Sequence, residues 1–262
     1  MKILKGRDLA DFIKEKQARQ TRQFLAQKIQ PKLLIIRDSE NPVIMKYVGL
    51  KKQYGEDIGV EVEDFCANSK AEIETKIAEA NNDPKTHGII VQLPLKTVEK
   101  SELDEVLGKI NVEKDVDGLT GKTDTATAVA INWLIAGHGL DLKDLKIAIV
   151  GRGRLVGAPL IRMWTNSGYD ITVFGHDGDL KTLKDFDVIV TATGVPHLIT
   201  SEMVKPGCIL IDAGTAAEDG VLVGDVDEAV RSREDLKAIT PKVGGVGPLT
   251  VCALFDGVLN SV

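Results

Sequence analysis

The stretch Lys146-Ile-Ala-Ile-Val-Gly-Arg-Gly-Arg-Leu-Val-Gly-Ala-Pro159 decides how the chain is read. Ile147 to Val150 is a short apolar run rich in β-branched residues, the pattern of a buried strand in a parallel sheet. Gly151, Gly153 and Gly157 follow at once, and Leu155, Leu160, Ile161, Met163 and Trp164 then recur at helical spacing as far as Ser167. Strand, glycine turn and helix in that order form the context of a dinucleotide-binding loop. Gly151 permits a tight turn at positive φ, Gly153 lets the backbone approach a pyrophosphate, and Gly157 allows close helix–strand packing. The helix start offers free N–H groups and the positive end of its dipole to an anion. The spacing is G-x-G-x-x-x-G, one residue longer than the usual fingerprint, so the loop alone is also compatible with a turn that binds nothing. Arg152 either meets a ribose 2′-phosphate, favouring NADP over NAD, or stands in solvent.

Working outward, the 262 residues suffice for one large or two medium domains. Apolar content of 43% and charged content of 27% are those of an ordinary soluble protein. A net charge of −6 argues against a general nucleic-acid partner, which needs a basic face. No apolar run is long enough to span a membrane. Charges interrupt the N-terminus too early for a secretory segment. Cys66, Cys208 and Cys252 are far apart and suit a reducing compartment, so a cytoplasmic location is expected. The four histidines share no metal-ligand spacing, and no metal is expected.

Before the glycine loop, residues 7–29 are predicted to be an amphipathic helix with Leu9, Phe12, Ile13, Phe24, Leu25 and Ile29 on its buried side. Strands are predicted at 32–37, 60–65 and 88–93, and helices at 43–58, 70–81 and 101–107. That repeat of strand–helix units predicts a small parallel α/β layer. Residues 123–136 read as a linking helix. After the loop, 170–174, 187–192 and 207–212 read as parallel strands, 224–227 and 240–248 as loops, and 249–262 as a final helix.

Several residues invite two readings each. Tyr47 and Lys51, four apart on a predicted helix, project from one face. They are either an exposed pair, or a ring that stacks on a flat substrate beside a lysine that moves a proton. Gln92, at a strand end before Pro94, is a filler or a ligand contact. Asp115 and Asp117 serve turn chemistry or grip an amidine-like N–H edge. Asp225 and Asp227 form an acid–base pair or, more simply, a strand-end turn. Gly194 and Gly214 lie just past strand ends, where ligands sit in open α/β sheets. The run Gly244-Gly-Val-Gly-Pro248 is backbone brought close to a ligand, or a hinge.

Taken together, Tyr47-x-x-x-Lys51, Val91-Gln-Leu-Pro-Leu95, Lys114-Asp-Val-Asp-Gly118, Gly151-Arg152 to Pro159, Ile211-Asp-x-Gly214, Gly224-Asp-Val-Asp227 and Gly244-Gly-Val-Gly-Pro-x-Thr250 occur in this order. The series resembles the bifunctional methylenetetrahydrofolate dehydrogenase / methenyltetrahydrofolate cyclohydrolase family over nearly the whole chain. The resemblance implies an α/β fold of two domains around a cleft. Residues 1–120 with 241–262 would form a smaller parallel α/β domain that binds folate and carries catalysis, and 121–240 a Rossmann-like dinucleotide domain. It implies NADP-dependent oxidation of 5,10-methylene- to 5,10-methenyl-tetrahydrofolate and hydrolysis to 10-formyl-tetrahydrofolate, in one-carbon metabolism that feeds purine biosynthesis. The alternative is a monofunctional dehydrogenase, possibly NAD-dependent.

By the same resemblance Lys51 handles a proton, Gln92 cooperates with it, Tyr47 packs on the p-aminobenzoate portion and Asp117 holds the pterin. Gly247, Pro248 and Thr250 fall on a loop closing over the ligands. Gly151, Arg152, Gly153, His176, Thr193, Gly194, Gly214 and Thr215 fall to the cofactor, and the family implies a homodimer through the cofactor domain. The chain departs from the family pattern at Asn41-Pro-Val-Ile44, at Asp124-Thr-Ala-Thr-Ala128, at Val243-Gly-Gly245, at Gly153 and at His176. The family commonly has serine at the last of these, where it helps hold the 2′-phosphate, so NAD stays open as the cofactor.

Overall fold

The computed structural model describes residues 1–218 and 221–262. In its first half the elements are β1 (Lys2–Ile3), α1 (Arg7–Ala26), β2 (Lys32–Arg37), α2 (Pro42–Ile58), β3 (Glu61–Cys66), α3 (Lys70–Asn82), β4 (Gly88–Val91) and α4 (Leu103–Leu107). Next come α5 (Ala126–Gly137), β5 (Ile147–Val150), α6 (Gly157–Asn166), β6 (Ile171–Phe174), β7 (Val188–Thr191) and β8 (Ile209–Asp212). The chain closes with β9 (Ala216–Glu218), β10 (Val221–Val223), α7 (Glu228–Arg231), β11 (Ala238–Ile239) and α8 (Val246–Asn260). Two compact units result: Asp11–Ala126 with Val251–Val262, and Met1–Ala10 with Thr127–Thr250.

In the first of these units β3, β2 and β4 form a parallel sheet in that order. Alternate residues of β2 and β4 (Leu34, Ile36, Ile89, Val91) join Ile73 and Ile77 of α3 in one buried cluster. Asn41 starts α2 by accepting the Val43 N–H at 2.9 Å, with Pro42 at the first helical position, and Gly59 ends it in the left-handed conformation at φ +82°. These caps fix where the α2 side chains emerge.

The inward face of α1 differs from the reading of the sequence. Phe12 is 73% exposed, and Leu25 and Ile29 are exposed too. Gln17 and Thr21 are buried instead. The Gln17 amide donates to the Cys252 carbonyl at 2.8 Å and accepts the Tyr54 hydroxyl at 2.7 Å. A helix face that meets another helix's backbone carbonyl needs a donor, and apolar spacing does not report that need.

The second unit is a six-stranded sheet in the order β1-β11-β8-β7-β5-β6, parallel throughout. Its core strands β5, β7 and β8 are buried along almost their whole length, as their unbroken apolar runs require. Three stretches sit differently from the expected boundaries, the shortest being residues 121–126, expected in the dinucleotide domain and lying in the first unit. The first ten residues, read with the N-terminal domain, belong to this unit: β1 pairs with β11, and the Leu4 N–H donates to the Ile239 carbonyl at 2.8 Å. Two-residue strands carry no periodicity, so the pairing left no trace in the sequence. Helix α8 begins at Val246 rather than 249, and its first turn, through Thr250, also lies in this unit.

Candidate active site and dinucleotide loop

In the unit containing α2, a lysine, an amide and two carboxylates converge. Tyr47 and Lys51 lie one turn apart on α2, both half-buried. Gln92 follows the last residue of β4, and its backbone N–H donates to the Ile36 carbonyl at 2.8 Å, holding it in strand register. Its side-chain NH2 donates to the Leu93 carbonyl at 3.2 Å. That leaves the amide oxygen facing α2, where it accepts from Lys51 Nζ at 2.6 Å. Burial pulls the Lys51 pKa below the usual lysine value, and the negative charge of Asp117 partly opposes the shift.

The two aspartates separate by role. The buried Asp115 carboxylate accepts the Leu119 and Thr120 N–H groups, both at 2.9 Å, and the Thr120 hydroxyl at 2.7 Å. It builds the turn. Asp117 has no hydrogen-bond partner among the described residues. Burial pushes its carboxyl up to about 6, Lys51 draws it down, and Asp115 adds to the rise. An acceptor that is half-buried, without a hydrogen bond of its own and near a cation is available for a ligand's N–H groups.

In the other unit the glycines serve three distinct needs. Gly151 has φ +103°, its N–H donates to the Phe174 carbonyl at 2.9 Å, and a Cβ there would lie 2.6 Å from the Ala192 carbonyl oxygen. A Cβ on Gly157 would lie 2.1 Å from the Gly151 oxygen, so glycine is what lets α6 start this close to its loop. Gly153 is different, because the nearest atom to its Cβ position is 4.0 Å away. The protein's own packing does not demand glycine there, whereas a phosphate against the backbone does. Val156 makes no side-chain cap to α6, and in the first turn the Ala158 N–H donates to the Gly153 carbonyl at 3.1 Å.

The remaining cofactor candidates cluster at the C-terminal ends of β5 to β8. Arg152 Nε lies 3.8 Å from where a Cβ on Gly175 would be, which puts the guanidinium at the end of β6, beside the exposed His176. Thr193 follows β7; its N–H donates to Asp225 Oδ2 at 2.7 Å, and its hydroxyl accepts the Val195 N–H at 3.1 Å. Gly194 has φ +70°. Past β8, the Gly214 N–H donates to Asp212 Oδ1 at 3.0 Å, and Thr215 is exposed. A helix start without a side-chain cap, an open glycine and an arginine at the second strand's end fit a dinucleotide carrying phosphate on its ribose.

Gly247, Pro248 and Thr250, expected on a loop, form the first turn of α8, where the Thr250 hydroxyl donates to the Val246 carbonyl at 3.3 Å. Proline is tolerated there because the first-turn N–H groups have no partner within the helix. Asp225 and Asp227 do not work as a pair: Asp227 caps α7 through the Ala229 N–H at 2.8 Å, while Asp225 is fully buried. The sequence reading missed the wider network of Asp225 with Thr191, Asp212 and Arg231. Its only outward sign was a glycine opposite each of the two carboxylates, Gly214 and Gly224.

These features define a two-unit α/β protein with a Rossmann-type unit and, in the other unit, a half-buried lysine hydrogen-bonded to a glutamine amide. Residues 4–117 match the family described as tetrahydrofolate dehydrogenase/cyclohydrolase, catalytic domain, and residues 125–262 its NAD(P)-binding domain. The bifunctional protein FolD of Lacticaseibacillus casei (strain BL23) is 38% identical over 87% of this chain and 85% of its own length. That of Aquifex aeolicus (strain VF5) is 34% identical over 99% and 94%. The crystal structure of the bifunctional enzyme FolD from Campylobacter jejuni superposes with a TM-score of 0.92 at 31% identity, covering 100% of this chain and 98% of that one. A Trypanosoma brucei FolD complexed with NADP cofactor and inhibitor superposes with a TM-score of 0.88 at 28% identity, covering 99% and 96%. The chain belongs to the tetrahydrofolate dehydrogenase/cyclohydrolase family. It is a bifunctional oxidoreductase and hydrolase of one-carbon folate chemistry.

Proposed function

We propose that the unit containing α2 binds the folate and carries the proton chemistry, that the six-stranded unit binds NADP, and that the roles divide as follows. The observation that carries this reading is the 2.6 Å Lys51–Gln92 bond beside an Asp117 without a hydrogen bond of its own. Asp117 accepts from the amidine-like N–H edge of the pterin, and Tyr47 packs on the p-aminobenzoate ring. Bound NADP contributes a nicotinamide that accepts hydride from the methylene carbon. The methenyl carbon so formed is electrophilic without further activation. Water adds to it, Lys51 in its neutral form takes one proton of the water, and the ring N5–C bond then breaks as the remaining hydroxyl proton passes to N5, giving the 10-formyl product. Gln92 Oε1 accepts from Lys51 and so orients the amine. Gly247, Pro248 and Thr250 bring the first turn of α8 to the ligands.

Gly151, Gly153 and the start of α6 hold the pyrophosphate. Arg152 and His176 meet the 2′-phosphate, which is the reason NADP is favoured over NAD. Thr193, Gly194, Gly214 and Thr215 flank the nicotinamide half. The family reading further supports a homodimer through the dinucleotide unit and a cytoplasmic place in the one-carbon supply to purine synthesis, and the net charge of −6 supports a protein without a nucleic-acid partner. Among the described residues no helix is long and apolar enough to cross a membrane.

The test is a spectrophotometric assay with methylene-tetrahydrofolate, run separately with NADP and NAD, on the wild type and Arg152→Gln. Reduced cofactor and methenyl product are expected, with the arginine change raising KM for NADP about tenfold or more and leaving NAD little affected. Equal loss with both cofactors would remove Arg152 from the phosphate site.

A further inference from the structure

Behind the loops that follow β7 and β8 lies a pair of buried carboxylates, and each fills the space of a missing side chain. A Cβ on Gly214 would lie 1.9 Å from Asp225 Oδ1, and one on Gly224 would lie 2.0 Å from Asp212 Oδ2. Asp212 is matched: Oδ1 accepts the Asp225 N–H at 3.1 Å, Oδ2 accepts the Val226 N–H at 3.2 Å, and Arg231 pairs with it. The Arg231 guanidinium also donates to the Thr240 carbonyl at 2.9 Å. Asp225 is not matched. It is wholly buried, and its Oδ2 accepts the Thr191 hydroxyl at 2.6 Å and the Thr193 N–H at 2.7 Å. Its Oδ1 has no partner, and among the described residues no cation forms an ion pair with it. The guanidinium is therefore taken up by Asp212, and Asp225 is left without a counter-charge among the described residues.

Turn geometry alone does not call for this. A threonine or asparagine at 225 supplies an acceptor for the Thr193 N–H without burying a charge, and burying an unpaired carboxylate is costly. The position of the charge suggests its use. In a doubly wound sheet the adenosine half lies over the second strand, here β6, and the pyrophosphate at the start of α6. The nicotinamide half then extends over β7 and β8, where Asp225 sits. The oxidised nicotinamide ring is a cation and the reduced ring is neutral.

We infer that Asp225 is a positioning and charge-tuning residue for the cofactor: it fixes the Thr193 turn, and its uncompensated negative charge favours the oxidised over the reduced nicotinamide. The inference rests on the proposed placement of NADP in this unit. Asp225 touches no reacting atom; it acts through the turn and through its field.

Dissociation constants for NADP+, NADPH and 2′-phospho-ADP-ribose, which lacks the nicotinamide, test it by titration calorimetry on the wild type and Asp225→Asn. Asparagine keeps an acceptor for Thr191 and Thr193 and removes the charge. The ratio of the NADP+ to the NADPH dissociation constant is expected to rise about three- to tenfold, as loss of one unit charge in a low-dielectric site predicts. Affinity for 2′-phospho-ADP-ribose is expected to hold within about twofold, because that ligand carries no nicotinamide charge. A purely structural role would weaken both nicotinamide forms by the same factor, and an unchanged ratio overturns the inference. Asp225→Ser, smaller and also neutral, must show the same shift if the asparagine variant does not fold. A wild type that binds none of the three ligands would refute the cofactor placement itself, an outcome distinct from an unchanged ratio.

Discussion

Replacing Asp117 by asparagine should make the protein more stable at neutral pH while weakening its hold on folate. Burial raises this carboxyl from 3.8 to about 6 in the folded chain. A group whose folded pKa lies above its unfolded one favours the fold when protonated, so its ionised form costs stability. The cost is absent below the unfolded value, grows as the pH rises through the folded value, and is complete above it. At about 1.4 kcal/mol per tenfold change in proton affinity, the interval from 3.8 to about 6 corresponds to about 3 kcal/mol at pH 8. Asparagine is neutral at every pH and has nearly the same volume, so Asp117→Asn should recover most of that cost.

The assay is thermal unfolding of the ligand-free protein at pH 8 and pH 4. For a chain of this size about 2–4 °C accompanies each kcal/mol, so the variant should melt about 5–10 °C above the wild type at pH 8. At pH 4 the gap should nearly close. The variant should also bind folate at least about tenfold more weakly, having exchanged a charged acceptor for a neutral one. A variant no more stable than the wild type at pH 8, or a gap that does not change with pH, would refute the claim that Asp117 is held at a cost to the fold.

Lys51→Met should abolish cyclohydrolase activity while folate binding largely persists; unchanged hydrolysis would remove Lys51 from the chemistry. In the wild type, cyclohydrolase activity should rise with pH through the lowered Lys51 pKa, since the neutral amine takes the proton, and that limb should be missing from the residual rate of Lys51→Met. The loop glycines should divide: Gly157→Ala, whose Cβ would meet the Gly151 oxygen at 2.1 Å, should destabilise the fold by about 2–4 kcal/mol. Gly153→Ala has room for its methyl group, so its melting temperature should hold while NADP affinity falls; equal losses of stability in the two variants would contradict this assignment.

Much of the fold was legible before any coordinates. The buried runs 32–37, 147–150 and 188–191 have the continuous apolar character of parallel strands, and Asn41-Pro42 and Gly59 mark the ends of α2, because local backbone chemistry sets those features. The four-residue spacing of Tyr47 and Lys51 placed both on one helix face for the same reason. Other features depend on what the chain meets far away in sequence. Local chemistry gave neither the 2.6 Å meeting of Lys51 with Gln92 nor the split by which Asp115 builds a turn while Asp117 has no hydrogen bond, because both aspartates suit a turn equally well; only the family resemblance singled out Gln92 and Asp117. Gln17 takes a place on the inner face of α1, where Phe12 was expected, because a carbonyl from the far end of the chain waits there for a donor. The two-residue strand β1 exists only through pairing with β11, more than 200 positions away. Periodicity and capping are local and survive in the sequence. Pairing, desolvation and the pairing of Arg231 with one buried carboxylate rather than the other depend on distant residues meeting, and only the folded chain decides them.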